Sequence, residues 1–385
     1  MNRIFSTLAF LIICYLIYGF YISQFEFQLF TTKNKKSALF YDYRLSANIH
    51  TYLSLGSGTE DSITEESKRA RQDFLMITDV DLAVYDSQDH YNDRIGILYA
   101  EKKITDTEKV IQYRLQKNSS LTDLKYHAHP INKSYDESIL KDKAYDGFEV
   151  FNLKSITQSA WRQSKLSTIW SGLFYIFNPR LALMRLYNEP TQELHLFDQL
   201  SENKSLSMFL GAEASARAIP ITNLLMKFPS YERTLSVSSQ HLLLTSELTG
   251  DMTKDNAKII EALKKGQFYI SFDELGDPTG FETYVVAGKN KPFSFMGSHL
   301  TLNKETKIFY KLPAEPSIFF EVVLYRNGKR ADHLNTSEGL FTIRQPGTYR
   351  LQIRLSPTLP LPDATKWLTW IYTNNFYIHL DQNSN

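Results

Sequence analysis

Two strand ends near the start of the chain carry side chains fit for chemistry. The run Ser46–Gly56 closes an apolar strand with Asn48-x-His50 and passes into a Ser/Gly-rich loop. A second run, Phe74–Ile77, ends in Thr78-Asp79-Val80. Imidazole and carboxylate are the ligand types of zinc-like ions, and β/α barrels build active sites from polar residues at the C-terminal ends of successive strands. The chemistry such a pattern suits is metal-assisted attack by water. Other chemistries find less support. Gly56-Ser57-Gly58-Thr59 lacks the Lys-Ser/Thr of a phosphate-binding P-loop, and no Gly-x-Ser-x-Gly elbow occurs. The only cysteine, Cys14, lies in an apolar segment, which removes both an internal disulfide and a thiol nucleophile.

The elements that must position these residues follow from periodicity. Asp61–Arg71 reads as a helix with a capping box at Ser62 and Glu65, acidic in its first turn and basic in its last. Strand-like runs recur at Phe74–Thr78, Arg94–Ala100, Leu124–His127, Gly147–Phe151, Met208–Gly211 and His241–Thr245. Helical stretches lie between some of them, at Ser155–Tyr175 and Pro179–Leu186, with a last one at Thr253–Lys265 that Gly266 ends. Such alternation predicts a β/α architecture with a parallel sheet or barrel. Leu166–Phe177 is apolar but too short to cross a bilayer, and reads as a buried or surface-packed helix. From Phe281 onward only strand signals remain, at Ile318–Arg326, Gly339–Arg344, Tyr349–Leu355 and Trp370–Ile378. Asn327-Gly328 marks a hairpin, and the region reads as an all-β sandwich.

Composition bounds the rest. The chain has 385 residues, room for two domains, and a net charge of +1 that gives no electrostatic case for nucleic acid. Ile4–Ile22 is close to the ~20 apolar residues that a membrane-spanning helix needs. Arg3 precedes it, no small-x-small cleavage site follows it, and Ile13 before Cys14 does not suit lipoprotein processing. The expectation is an uncleaved single-pass anchor over residues 1–29, with the polar remainder on the extracytoplasmic side and Phe25–Lys36 as a juxtamembrane linker. A first domain is expected over 30–280 and a second over 281–385.

The order of motifs resembles the PHP (polymerase and histidinol phosphatase) metallophosphoesterase superfamily. That family opens with His-x-His-Thr and Ser-Asp-Gly, followed by a helix and a strand ending Ile-Thr-Asp-His. Here the corresponding residues are Asn48-Ile49-His50-Thr51, Leu55 and Ile77-Thr78-Asp79-Val80. Further matches are Glu101, Ala128-His129-Pro130, Gly147-Phe148-Glu149-Val150-Phe151-Asn152 and Gly211-Ala212-Glu213-Ala214-Ser215. Exported PHP-like proteins also end in a β domain closing with Trp-Ile-Tyr-Ser-Asn-Pro-Ile-Tyr, which resembles Trp370–Tyr377. The resemblance implies a distorted (β/α)7 barrel followed by a β-sandwich.

It also implies a set of metal ligands: His50, Glu101, His129 and Glu213, with Asn48 offering a carbonyl oxygen. Asp79 or His127 stands where an acid or base would be needed. Leu55, Val80 and Ser215 replace ligands of the family, so at most one divalent ion (Zn, Mn or Fe) is expected in place of two or three. Two functions follow as alternatives. One is a degraded site with a binding role, for a phosphate-bearing envelope component or a protein partner. The other is a one-metal phosphoesterase. His129 beside Pro130 and His127 also read as structural histidines, Asp79 as a loop cap, Glu101 beside Lys102 and Lys103 as a surface ion pair, and Glu149 as a marker of the fold. His90, His195, His241, His299, His333 and His379 form no metal spacing.

Overall fold

The computed structural model describes residues 2–31, 37, 39–80, 89–105, 109–113, 123–128, 145–216, 218–221, 224–227, 229–288, 293–360 and 365–380. It opens with α1 (Asn2–Ser23), a helix long and apolar enough to cross a membrane and exposed along nearly all of its length. The chain after it docks onto the body of the protein. Thr31 N donates to Glu315 O (2.9 Å), Ser317 N donates to Leu29 O (2.8 Å), and the Phe30 ring lies 4.5 Å from that of Trp370. A side chain at Gly276 would run into Phe30, so only glycine leaves room for this contact.

Next come β1 (Tyr41–Ile49), α2 (Glu60–Arg69), β2 (Phe74–Ile77), β3 (His90–Asn92), β4 (Ile95–Tyr99), β5 (Glu101–Ile104), β6 (Lys109–Tyr113), β7 (Leu124–His127) and β8 (Gly147–Asn152). Four helices follow, α3 (Leu153–Gln163), α4 (Lys165–Phe174), α5 (Pro179–Leu186) and α6 (Thr191–Ser201). Then come β9 (Ser207–Ala214), the hairpin β10 (Ala218–Ile221) and β11 (Leu224–Lys227), α7 (Tyr231–Leu235), β12 (Ser239–Leu244), α8 (Met252–Lys265) and β13 (Phe268–Ser271). The described remainder is strand: β14 (Glu282–Val286), β15 (His299–Thr301), β16 (Lys307–Lys311), β17 (Phe320–Arg326), β18 (Lys329–Leu334), β19 (Glu338–Thr342), β20 (Gly347–Leu355), β21 (Leu368–Thr373) and β22 (Phe376–His379).

The result is a mixed α/β protein with one large sheet. From β4 the pairings run through β2, β1, β9, β8, β7 and β6 to β5, and a parallel bridge from Val80 to Lys102 joins β5 to the end of β2. The first half of β1 also pairs antiparallel with β12, which leads through β13 and β21 to β20 and β17. The N-terminal and C-terminal halves are thus continuous through backbone hydrogen bonds. Strands β14, β16 and β19 form a separate three-stranded sheet. The central strands β2, β8, β12 and β13 are buried along their whole length, as strands covered on both faces must be.

Local chemistry moves several expected boundaries. Helix α2 starts earlier than the Ser62 capping box predicts. Thr59, in extended conformation, accepts from Ser62 N, while the Ser62 hydroxyl donates back to Thr59 O (2.9 Å). The expected helix Ser155–Tyr175 is two helices, broken where extended Ser164 caps α4. Asp251, not Thr253, caps α8, and Gly266 ends it at φ 72° in the left-handed region. Asn327 and Gly328 both have positive φ (49° and 72°), as a two-residue hairpin turn requires. The run Trp370–Ile378 divides at Asn374, whose amide accepts from Met208 N (2.7 Å) and donates to Phe268 O (3.0 Å).

Candidate functional site

Three strand ends converge below the loop that follows β1. Asn48 sits at the end of β1 at φ 62°, beside a bulge that shifts the register between Ala47 and Ile49. Asn is one of the few side chains that tolerate this conformation. Glu213, near the end of β9, has φ 49°. Glu149 on β8 lies beside another register shift. These departures from regular strand geometry turn three polar side chains toward one point. Gly211 leaves room for them, since a Cβ there would meet the Glu149 carboxylate.

The group at the centre is the Lys102 ammonium. Lys102 is 2% exposed. Its Nζ donates to Asn48 Oδ1 (2.7 Å) and to Glu213 Oε1 (2.9 Å), and lies 3.3 Å from His50 Nε2. Asn48 Nδ2 donates to Glu149 Oε1 (2.8 Å) and Glu213 Oε1 (3.0 Å), and Asn152 Nδ2 donates to Glu149 Oε2 (2.9 Å). An ammonium has hydrogens and no lone pair, so His50 accepts at Nε2 and carries its proton on Nδ1. That Nδ1 is buried with no hydrogen-bond partner among the described residues. The charge is felt nearby. The Lys109 ammonium is held below its ordinary value, first by burial and then by repulsion from Lys102. The Tyr126 hydroxyl is pushed well up, mainly by burial and further by the Glu149 charge.

The expected ligands fare differently. Asn48, His50 and Glu213 come together, but around a lysine. Glu101 is not brought into this group: successive strand residues point to opposite faces, and its neighbour Lys102 holds the inward position. The Glu101 carboxylate lies 3.5 Å from Lys103 Nζ. Asp79 accepts from Thr51 N (2.8 Å), Thr51 Oγ1 (2.6 Å) and the Ser54 hydroxyl, which fastens the loop after β1. His127 is buried at the end of β7 with its ring 4.0 Å from that of Tyr145. His129 lies outside the described residues. Among the described residues no group of three or more His, Cys, Asp or Glu is placed to hold a metal ion. The donor set as it stands does not fit a divalent cation, because the Lys102 ammonium occupies the place between Asn48 Oδ1 and Glu213 Oε1 where the ion would sit. Sequence reading missed Lys102: alternation across Glu101-Lys102-Lys103 sets Lys102 opposite its two neighbours but does not say which face turns inward.

A second buried cation lies across β1, β12 and β13. His241 Nδ1 is 2.7 Å from Asp42 Oδ1, and its Nε2 is 3.0 Å from Ser239 Oγ and 3.6 Å from Asp273 Oδ1. Burial alone would lower its pKa. The Asp42 charge and the Asp273 contact outweigh that and raise it to about 9. Ser239 and Ser271 both donate to Asp273, and Tyr269 donates to Asp42 Oδ2 (2.9 Å) while its ring stacks on His241. Ser, His and Asp occur together here, but Ser239 is wholly buried and its proton is committed to Asp273. This is a clasp between strands, not a nucleophile.

Beside the Lys102 cluster lies a cavity of about 640 Å³, bordered by His50 and Glu213 on one side and by α3, α4 and α5 on the other. That volume is within the ~300–1,000 Å³ usual for small-molecule sites. Ile156, Met184, Tyr187 and Phe272 make much of its wall apolar.

No protein-family model matches the chain, and no curated protein matches it. Among solved structures it is similar to a two-domain protein from Bacteroides vulgatus described as containing a predicted PHP-like metal-dependent phosphoesterase. The identity is 12%, with a TM-score of 0.38, over 89% of this chain and 99% of the other.

Proposed function

We propose that this chain is a membrane-anchored, metal-free relative of the PHP phosphoesterases that binds a ligand and does not hydrolyse it. Residues 30–280 then form a distorted (β/α)7 barrel, 281–385 a β-sandwich, and α1 an uncleaved anchor that leaves the rest on the extracytoplasmic side. The motif order supports the family assignment, as does the run of strand pairings that the Val80–Lys102 bridge returns to β2. One observation carries the functional reading: Lys102 Nζ lies within 2.9 Å of both Asn48 Oδ1 and Glu213 Oε1. Two unit charges 4 Å apart repel by about 4 kcal/mol at the effective dielectric of protein sites, and a dication doubles that. The ammonium and a catalytic metal therefore exclude each other. The ligand is expected in the cavity beside His50 and Glu213.

Metal content tests this. The full chain, purified without chelator and offered Mn, Zn and Fe separately, is expected to retain no ion above background by elemental mass spectrometry after dialysis. About one tightly held ion per chain, lost in His50→Ala, would instead support a one-metal phosphoesterase.

A further inference from the structure

Helix α4 wears its amphipathicity inside out. Leu166, Ile169, Leu173 and Ile176, spaced i, i+3, i+7 and i+10 along α4 and the turn that follows it, are 82%, 48%, 53% and 75% exposed. Thr168, Ser171 and Gly172 on the opposite side border the cavity. A helix on a water-facing surface places these types the other way round. The third face packs on α1. The Trp170 and Phe174 rings lie 6.3 and 5.0 Å from that of Tyr18, and Tyr15 Oη donates to Leu173 O (2.8 Å). Asn178 Nδ2 ties the next turn to Ile22 O and Phe25 O (both 3.0 Å). The exposed stripe is thus held beside α1, the one helix among the described residues with the length and apolarity of a membrane span. Ile176 belongs to both surfaces: it is part of the stripe and it borders the cavity.

We propose that α4 lies in the membrane interface and that the cavity takes a hydrocarbon tail of a bilayer lipid, entering past Ile176. The occupant follows from continuity. The cavity wall and the lipid-facing stripe are two sides of one helix, so a tail passes from one apolar medium to another without crossing water. His50, Glu213 and Arg233 are among the polar residues that border the cavity and offer hydrogen-bonding partners to the headgroup side of a bound molecule. This inference rests on the anchor and binding parts of the reading above and not on the state of the metal site. The metal count and the experiment below can therefore fail independently.

The test uses the full chain in nanodiscs of phosphatidylethanolamine and phosphatidylglycerol, doped with a phosphatidylethanolamine that bears a diazirine near the end of one tail. After illumination, adducts are mapped by peptide mass spectrometry. Adducts are expected on cavity-lining Met184 and Phe272 as well as on the outer stripe. Ser171 is buried and borders the cavity from α4, so Ser171→Phe places a ring in that space. It is expected to cut the Met184 and Phe272 adducts about tenfold while sparing those at Leu166 and Ile169. Ile176→Asp, at an exposed position, places a charge at the mouth and is expected to do the same if Ser171→Phe does not fold. Adducts confined to α1 and the outer stripe would overturn the proposal, as would unchanged cavity labelling in either folded variant.

Discussion

The Lys102 and His241 clusters are built to one recipe and put to different ends. Each holds a buried cation against carboxylate, Glu213 for Lys102 and Asp42 and Asp273 for His241, and each draws on β1. Around His241 the cage is closed: Asp42, Asp273, two serines and the Tyr269 ring surround it in the interior of β1, β12 and β13. Around Lys102 the cage sits at strand ends, and two of its members, His50 and Glu213, border a cavity. Buried charge by itself therefore says little about function. What separates a fastening from a site is whether one side of the cluster faces space that a ligand can fill.

Four measurements press on that contrast. The largest effect is expected from Lys102→Met, which leaves the buried Glu213 carboxylate without its cation and should cost about 3–5 kcal/mol in denaturant unfolding. If the variant is as stable as the parent, the cluster carries no structural charge. Next is pH. His241, raised to about 9, stabilises the fold fully below its unfolded pKa near 6.5, and the contribution is lost as pH climbs through about 9. A fall on the order of 3 kcal/mol is expected across that window and should vanish in His241→Gln. Gly211→Ala pushes a methyl group into the Glu149 carboxylate and should cost about 1–3 kcal/mol while leaving that pH dependence intact. The smallest effect is expected for Ser271→Ala, which removes one donor to Asp273. About 1 kcal/mol is expected, read as a small shift in unfolding midpoint.

The sequence made the strands legible and the centre of the site illegible. Leu124–His127 is a strand to the residue, and Asn327-Gly328 turns as expected, because period-two patterning and turn chemistry are local signals. Asn48, His50 and Glu213 were named because their motif order is itself a sequence property. Lys102 was hidden for a different reason. Three consecutive charged residues read as a solvated edge, and only the Val80–Lys102 bridge decides which of them points inward. That bridge lies between residues far apart in the chain, beyond the reach of any window. The Asp42–His241–Asp273 clasp was missed likewise, since its members meet only through strand pairing.

The docked segment after α1 has a mechanical meaning. With Leu29 and Thr31 bonded to the chain around Glu315 and Ser317, and Phe30 lodged against Trp370, there is no slack between the apolar helix and the body. In a bilayer such a joint works as a mast and not as a leash. The body could not roll freely over the surface, and one face of it would meet the lipid at a set height and angle.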